Sequence, residues 1–136
     1  MKRLLLLTVV LVIAVSCKPR KEVMYRAVVG TKTDLFEVVS SKELKLAPGV
    51  KSQIVGGPCG PRSGIALLRQ NGTVGGYMVC GCVGESQGCF TVNDNPEHPS
   101  CGGNCIDGQG NAHGCEMWGP IIGPPRDPAR IELRER

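Results

Sequence analysis

The feature that most limits what this chain can fold into is the crowding of cysteine and glycine into its second half. Of eight cysteines, all but Cys17 fall between Cys59 and Cys115, and 17 of the 19 glycines lie between Gly56 and Gly123. Tyr25, Phe36, Tyr77, Phe90 and Trp118 are the whole aromatic supply, so the side chains that normally dominate core burial are scarce. Cohesion has to come partly from elsewhere. The cysteine spacings never recur along the chain, which argues against a stacked repeat architecture.

Three chemistries suit sulfur atoms held close together: disulfides, a metal site, or redox thiols. The compartment is the first discriminator, and the N-terminus addresses it. Lys2 and Arg3 precede an uncharged apolar run from Leu4 to Val15, followed by Ser16 and Cys17. The run is shorter than the roughly 20 residues of a membrane-spanning helix, and its basic start and small-residue end describe a signal peptide spanning 1–16 that is removed on export. Ala14-Val15-Ser16-Cys17 also resembles the lipobox of bacterial lipoproteins, with Ala14 in the place where leucine is favoured. That resemblance implies acyl chains on the sulfur and amino group of Cys17, a membrane anchor, and residues 17–22 as a lipidated tether. Lys18, rather than aspartate, follows the cysteine, and by the same resemblance this implies sorting to the outer membrane of a Gram-negative cell.

In an exported chain, disulfides are the expected state of Cys59, Cys80, Cys82, Cys89, Cys101, Cys105 and Cys115, with one of the seven left over. Cys80 and Cys82 point the same way on an extended strand, nearly 7 Å apart, so each is expected to pair with a distant cysteine rather than with its neighbour. The alternative metal set is Cys80, Cys82, Cys101, Cys105, His98 and His113, whose thiolates and imidazoles suit zinc or copper. Its cysteine pairs are separated by one and three residues, whereas zinc ribbons favour two. The redox alternative makes Cys80-Gly81-Cys82 a dithiol for disulfide exchange, but no helix N-terminus follows it to lower a thiol pKa.

Without residues 1–16, about 120 of the 136 residues remain, enough for one modest core. The expected organisation is a single small, mainly β domain over 23–118, cysteine-rich from 59 to 115, and a Pro-rich tail over 119–136. Short β-branched runs, Val23 to Val29 and Leu35 to Ser40, flank a turn containing Gly30 and Asp34. The clearest signal is a central hairpin at about 64–82. Asn71-Gly72 suits a two-residue type I′ turn, with Gln70 opposite Thr73, Leu68 opposite Gly75, Ala66 opposite Tyr77 and Ile65 opposite Met78. Both faces of that hairpin are apolar, which places it inside a sheet. From Val83 to Gly114 only turn residues stand between cysteines, and long glycine-rich loops are expected. Ile131 and Leu133 alternate near the end, as either an edge strand or a frayed tail.

The formal charge of +4 falls to about +2 without Lys2 and Arg3, so nothing announces a nucleic-acid partner. No catalytic constellation emerges and no cofactor is implied: Ser63 in "GPRSG" sits one place late for a nucleophile elbow. The segment "DGQGNA" starts like a calcium loop, but Ala112 and Trp118 stand where glycine and glutamate are required. The expectation is a lipid-anchored, non-enzymatic envelope module, binding or structural, with an unknown protein or envelope ligand. Phe90, Glu97, His98 and Trp118 are the candidate contact residues, since function tends to sit on loops held by a scaffold.

Overall fold

A computed structural model describes residues 22–57, 60–83, 88–124 and 127–135. The signal and lipobox segment, including Cys17, lies outside the described residues, as does Cys59. Eleven strands carry the architecture: β1 (Val23–Tyr25), β2 (Phe36–Ser40), β3 (Glu43–Leu46), β4 (Lys51–Gly57), β5 (Gly60–Leu68), β6 (Val74–Gly81), β7 (Cys89–Val92), β8 (Ser100–Ile106), β9 (Ala112–Gly114), β10 (Glu116–Ile121) and β11 (Glu132–Arg134). A single 3₁₀ turn, Pro128–Arg130, precedes β11, and no α-helix occurs among the described residues. The expected mainly β, disulfide-rich domain with a central hairpin is what the chain forms.

Sheet order explains why the hairpin is apolar on both faces. Four antiparallel strands run β10-β6-β5-β4, and a second sheet runs β2-β3-β8-β7 with β9 paired to β8. Ile65, Leu67, Met78 and Cys80 point from the first sheet into a core shared with Phe36, Val38, Leu44 and Leu46 of the second. Tyr77 and Val79, at the alternate positions of β6, point the other way and pack with Trp118, Met24, Ile131 and Leu133. The first sheet is therefore the middle layer, between the second sheet and a parallel β1-β11 pair whose register sets Met24 beside Leu133. Of the two forms open to the end of the chain, it adopts the strand, and Ile131 and Leu133 are both buried there.

The hairpin turn differs from expectation. Among the described residues no non-glycine has positive φ, and within this turn only Gly72 turns over, at φ 85°. Asn71 instead uses its side chain, whose Oδ1 accepts from Thr73 N at 3.1 Å and Thr73 Oγ1 at 2.7 Å. The Gly72 amide donates to Arg69 O and the Arg69 amide to Thr73 O, each at 2.8 Å. These bonds close a three-residue loop with a left-handed glycine at its end, the usual alternative to the two-residue turn. Leu68 therefore faces Val74, not Gly75, and Gly75 becomes the extra residue that restores the register. Beyond it Ala66 faces Tyr77 and Ile65 faces Met78, as the sequence pattern requires.

Among the described residues three disulfides cross between the layers: Cys80 with Cys101, Cys82 with Cys105, and Cys89 with Cys115, with Cα separations of 5.5, 6.5 and 5.6 Å. All three lie within bridging range, and Cys80 and Cys82 each find a distant partner rather than each other. Cys101 and Cys105 are four residues apart on β8, about 13 Å if straight, whereas Cys80 and Cys82 are about 7 Å apart on β6. Gly103 lies between them at φ 93° and bends β8 away from a straight path. Its Cβ position is 1.9 Å from Gly88 O, so β7 and β8 approach through backbone alone. Strands β7, β8 and β9 occupy the region expected to be loops, because buried cysteines carry their inward positions and glycines blank their outward ones.

Removing Cys80–Cys101 as the double alanine variant releases a loop of sequence separation 21, for which chain entropy predicts a loss of about 3 kcal/mol, read by urea denaturation. Gly103→Ala forces a side chain into both the left-handed region and a backbone contact, and should cost at least about 2 kcal/mol. Its melting temperature should fall by about 8 °C or more, with all three disulfides still formed.

Candidate functional site

The outer face of the second sheet collects most of the sequence-predicted contact residues. Cys101 and Leu44 point inward and are buried, so Ser100, Gly102, Glu43 and Lys45 point outward by strand alternation. Phe90 faces Gly102 across β7 and β8 and is 53% exposed. Its ring lies over the Gly102–Gly103 backbone, occupying the space that a side chain at either position would take. Val92 and Glu43 both pair with Ser100, forming the adjoining row. Both strands beneath the ring are pinned, since Cys89 precedes Phe90 and Cys101 precedes Gly102.

Glu97 and His98 border this face through a turn built by Asn95. Asn95 Oδ1 accepts from the Glu97 amide at 3.2 Å, and Asn95 O from the His98 amide at 2.9 Å. Residues 97–101 then run beside β3, with Leu46 donating to Glu97 O and Leu44 to Pro99 O. His98 Nδ1 is 3.3 Å from Glu43 Oε1, without hydrogen-bond alignment. Glu97 also lines a cleft of about 460 Å³ with Lys32, Glu37, Lys45 and Pro48. Phe90, Glu97 and His98 thus share one side of the domain.

Trp118 does not join them, which corrects its assignment as a contact residue. Its ring is fully buried, its Nε1 donates to Gly81 O at 2.8 Å, and the Arg26 guanidinium caps it at 5.2 Å from the ring centre. The stretch "CEMWGPI" is not loop but Cys115 followed by the whole of β10, and alternation turns Trp118 into the second core.

Arg26 was not legible as a functional or structural group. It stacks on Trp118 while Nε meets Glu116 Oε2 at 2.8 Å and an Nη meets Glu135 Oε1 at 2.7 Å. These groups line a second cleft, about 420 Å³, with Asp107, His113 and Cys82. Asp107 Oδ2 is 2.7 Å from His113 Nε2, and Oδ1 accepts from the Gln109 and Asn111 amides at 2.9 Å each. The His113 contact first, then the Asn111 amide, hold the Asp107 carboxyl down at about 2. The carboxylate that opens the calcium-like segment is therefore engaged by its own loop. The residues lining this cleft supply no hydroxyl or free thiol beside His113.

The alternative metal set is taken apart by the fold. Cys80, Cys82, Cys101 and Cys105 bond in pairs with one another, and among the described residues no three or more metal-binding side chains gather. His98 and His113 have separate acidic neighbours, Glu43 and Asp107. The Cys80-Gly81-Cys82 dithiol likewise has no bond between its two sulfurs. Three disulfides are compatible with an exported, non-cytoplasmic protein, and no described helix is long and apolar enough to cross a membrane. The chain matches no protein-family model, no curated protein and no solved structure.

Asp107→Ala should release the loop over 107–112, seen as faster amide exchange at Gln109 and Asn111. In the wild type the sign follows from the depressed carboxyl, about 2 folded against 3.8 as reference. Its support is complete above about pH 4 and is lost as the pH falls toward 2. Exchange at those two amides in acid should approach that of the variant.

Proposed function

We propose that this chain is a lipid-anchored envelope protein whose disulfide-stapled β domain binds a protein or other envelope ligand on the outer face of the second sheet. The observation that carries the binding site is Phe90: a half-exposed aromatic ring lying over two glycines, with both strands below it cross-linked. A ring held this way has little conformational freedom to lose on binding, and aromatic anchors contribute disproportionately at interfaces. Glu43 with His98, and Glu97 at the cleft margin, supply the polar rim. Three disulfides support export, and the lipobox-like residues ending at Cys17 support anchoring.

Two experiments test the reading. Intact mass of the native protein should carry a diacyl or triacyl increment on a chain beginning at Cys17, and the six bridged cysteines should resist alkylation until reduction. A full-length N-terminus without acyl groups removes the anchor from the proposal. For the binding face, a photo-crosslinking amino acid at position 90 in growing cells should capture a discrete adduct that the same probe at Ile122, which is also exposed, does not. His98→Ala should weaken that adduct. Identical labelling at both positions, or none at position 90, refutes the face.

A further inference from the structure

Two of the sheet edges are closed by backbone hydrogen bonds among the described residues. The outer side of β10 takes hydrogen bonds with Ala27, ahead of the second sheet, and with Ser41 in the β2–β3 turn: Ala27 N to Met117 O at 3.0 Å and Met117 N to Ser41 O at 2.8 Å. The outer side of β2 is closed by Gly30 N to Val38 O at 2.9 Å and Val38 N to Thr31 O at 2.8 Å. Strand β7, at the other end of the second sheet, lies against β5 and β6. Strand β4 ends the first sheet and, among the described residues, makes no backbone hydrogen bond on its outer side. It is seven residues long, contains no proline, and bears a single charge, Lys51, at its start. Those are the features natural proteins avoid at an edge left open to solvent.

We infer that β4 pairs antiparallel with β4 of a second copy of this chain about a two-fold axis at Ile54. The side chains of β4 fit that occupant. Ile54 is 46% exposed and would meet its own counterpart, a β-branched cross-strand pair. Lys51 would face Gly57 of the other copy, and residues directly opposite point to the same side of a sheet. Gly57 has no side chain, and Asp127 fills its place: the Asp127 carboxylate stands 2.2 Å from where a Cβ would be. Lys51 of each copy would therefore meet Asp127 of the other, so the symmetric pairing makes two ion pairs. Val55 packs in the same core as Ile131, which fixes this as the side facing the 3₁₀ turn. Asp127 keeps its contacts within its own chain; the second copy adds to them.

Geometry makes the test specific. Within one chain Lys51 and Gly57 are separated by six residues of strand, about 20 Å, so a zero-length bond between Lys51 and Asp127 has to join two chains. The purified full chain in detergent, treated with a carbodiimide at up to ~100 µM, should give a covalent dimer containing the Lys51–Asp127 linked peptide. Ile54→Lys places like charges across the axis and should remove at least about nine-tenths of that dimer. Lys51→Glu and Asp127→Lys should each reduce it several-fold, and the double exchange should restore it. Because Lys51 and Ile54 are exposed, protected cysteines before reduction serve as the check that each variant is folded. A chain that remains monomeric throughout, or a dimer that lacks the Lys51–Asp127 link or survives Ile54→Lys, overturns the pairing, the former leaving the edge for a strand from another protein.

Discussion

The Cys80–Cys101 bridge joins the middle strand of one sheet to a middle strand of the other, and the rest of the fold is arranged around that junction. Strand β6 is buried on both faces, and a strand in that position ordinarily relies on large apolar neighbours on each side. Here five aromatic residues serve the whole chain, and two of them, Tyr77 and Trp118, are committed to the core between the middle sheet and the β1-β11 pair. The other core is left with Phe36 and aliphatic residues, and six cysteines complete it. Sulfur acts there both as apolar filling and as covalent restraint, which suits a domain too small to rely on core area alone.

Cross-linking sets a backbone requirement that glycine meets. Two bridges, one from Cys80 on the inward face of β6 and one from Cys82 just past its end, reach cysteines four residues apart on β8, and the strand accommodates this by bending at Gly103. The same bend brings β7 so close that Gly88 and Gly103 meet through backbone. Phe90 then covers the bared surface from outside. The exposed aromatic of the proposed binding face is thus also the cover for glycines that the disulfides require, so scaffold and contact surface are consequences of one constraint.

This arrangement shows why some of the fold was legible and some was not. Residues 64–82 follow the ordinary alternation of apolar side chains, and their strand pairing from Ala66 and Tyr77 onward could be read directly. The last pairs before the turn could not, because Asn71 stabilises a wider loop through its side chain and Gly75 absorbs the difference. Residues 89–114 conceal their alternation: inward positions are Cys89, Cys101 and Cys105, and outward ones include Gly102, so hydropathy sees only a turn-rich segment. Trp118 misled for the opposite reason. An aromatic just ahead of Gly119-Pro120 looks like a loop anchor, and only the closure of β10 onto β6 makes it core. Cysteine pairing offered many maps and no sequence rule for choosing, since the choice depends on how two sheets face each other. The partners of Arg26 and Arg62 were equally hidden. Arg62, whose pKa is pulled down chiefly by burial, donates to Pro128 O and Ile131 O at 3.1 and 2.7 Å, tying β5 to a segment sixty-odd residues away.

The proposed contact face and the open edge belong to different sheets, and that separation bears on how an anchored protein would work. Phe90 lies on the outer side of β7 and β8, whereas β4 offers its edge at the end of the middle sheet, where Ser52 Oγ donates to Asn93 Oδ1 at 3.0 Å on the β7 side. Pairing through β4 therefore leaves the Phe90 face open in each copy. A strand-to-strand contact of this size is weak in solution, but the proposed membrane anchor would raise the local concentration of partners, and two linked faces would then engage a repetitive ligand with a strength neither has alone. The rigidity imposed by the disulfides matters for that outcome, because simultaneous engagement requires the two faces to keep a fixed spacing. A looser domain would lose the geometric benefit while retaining the same contacts.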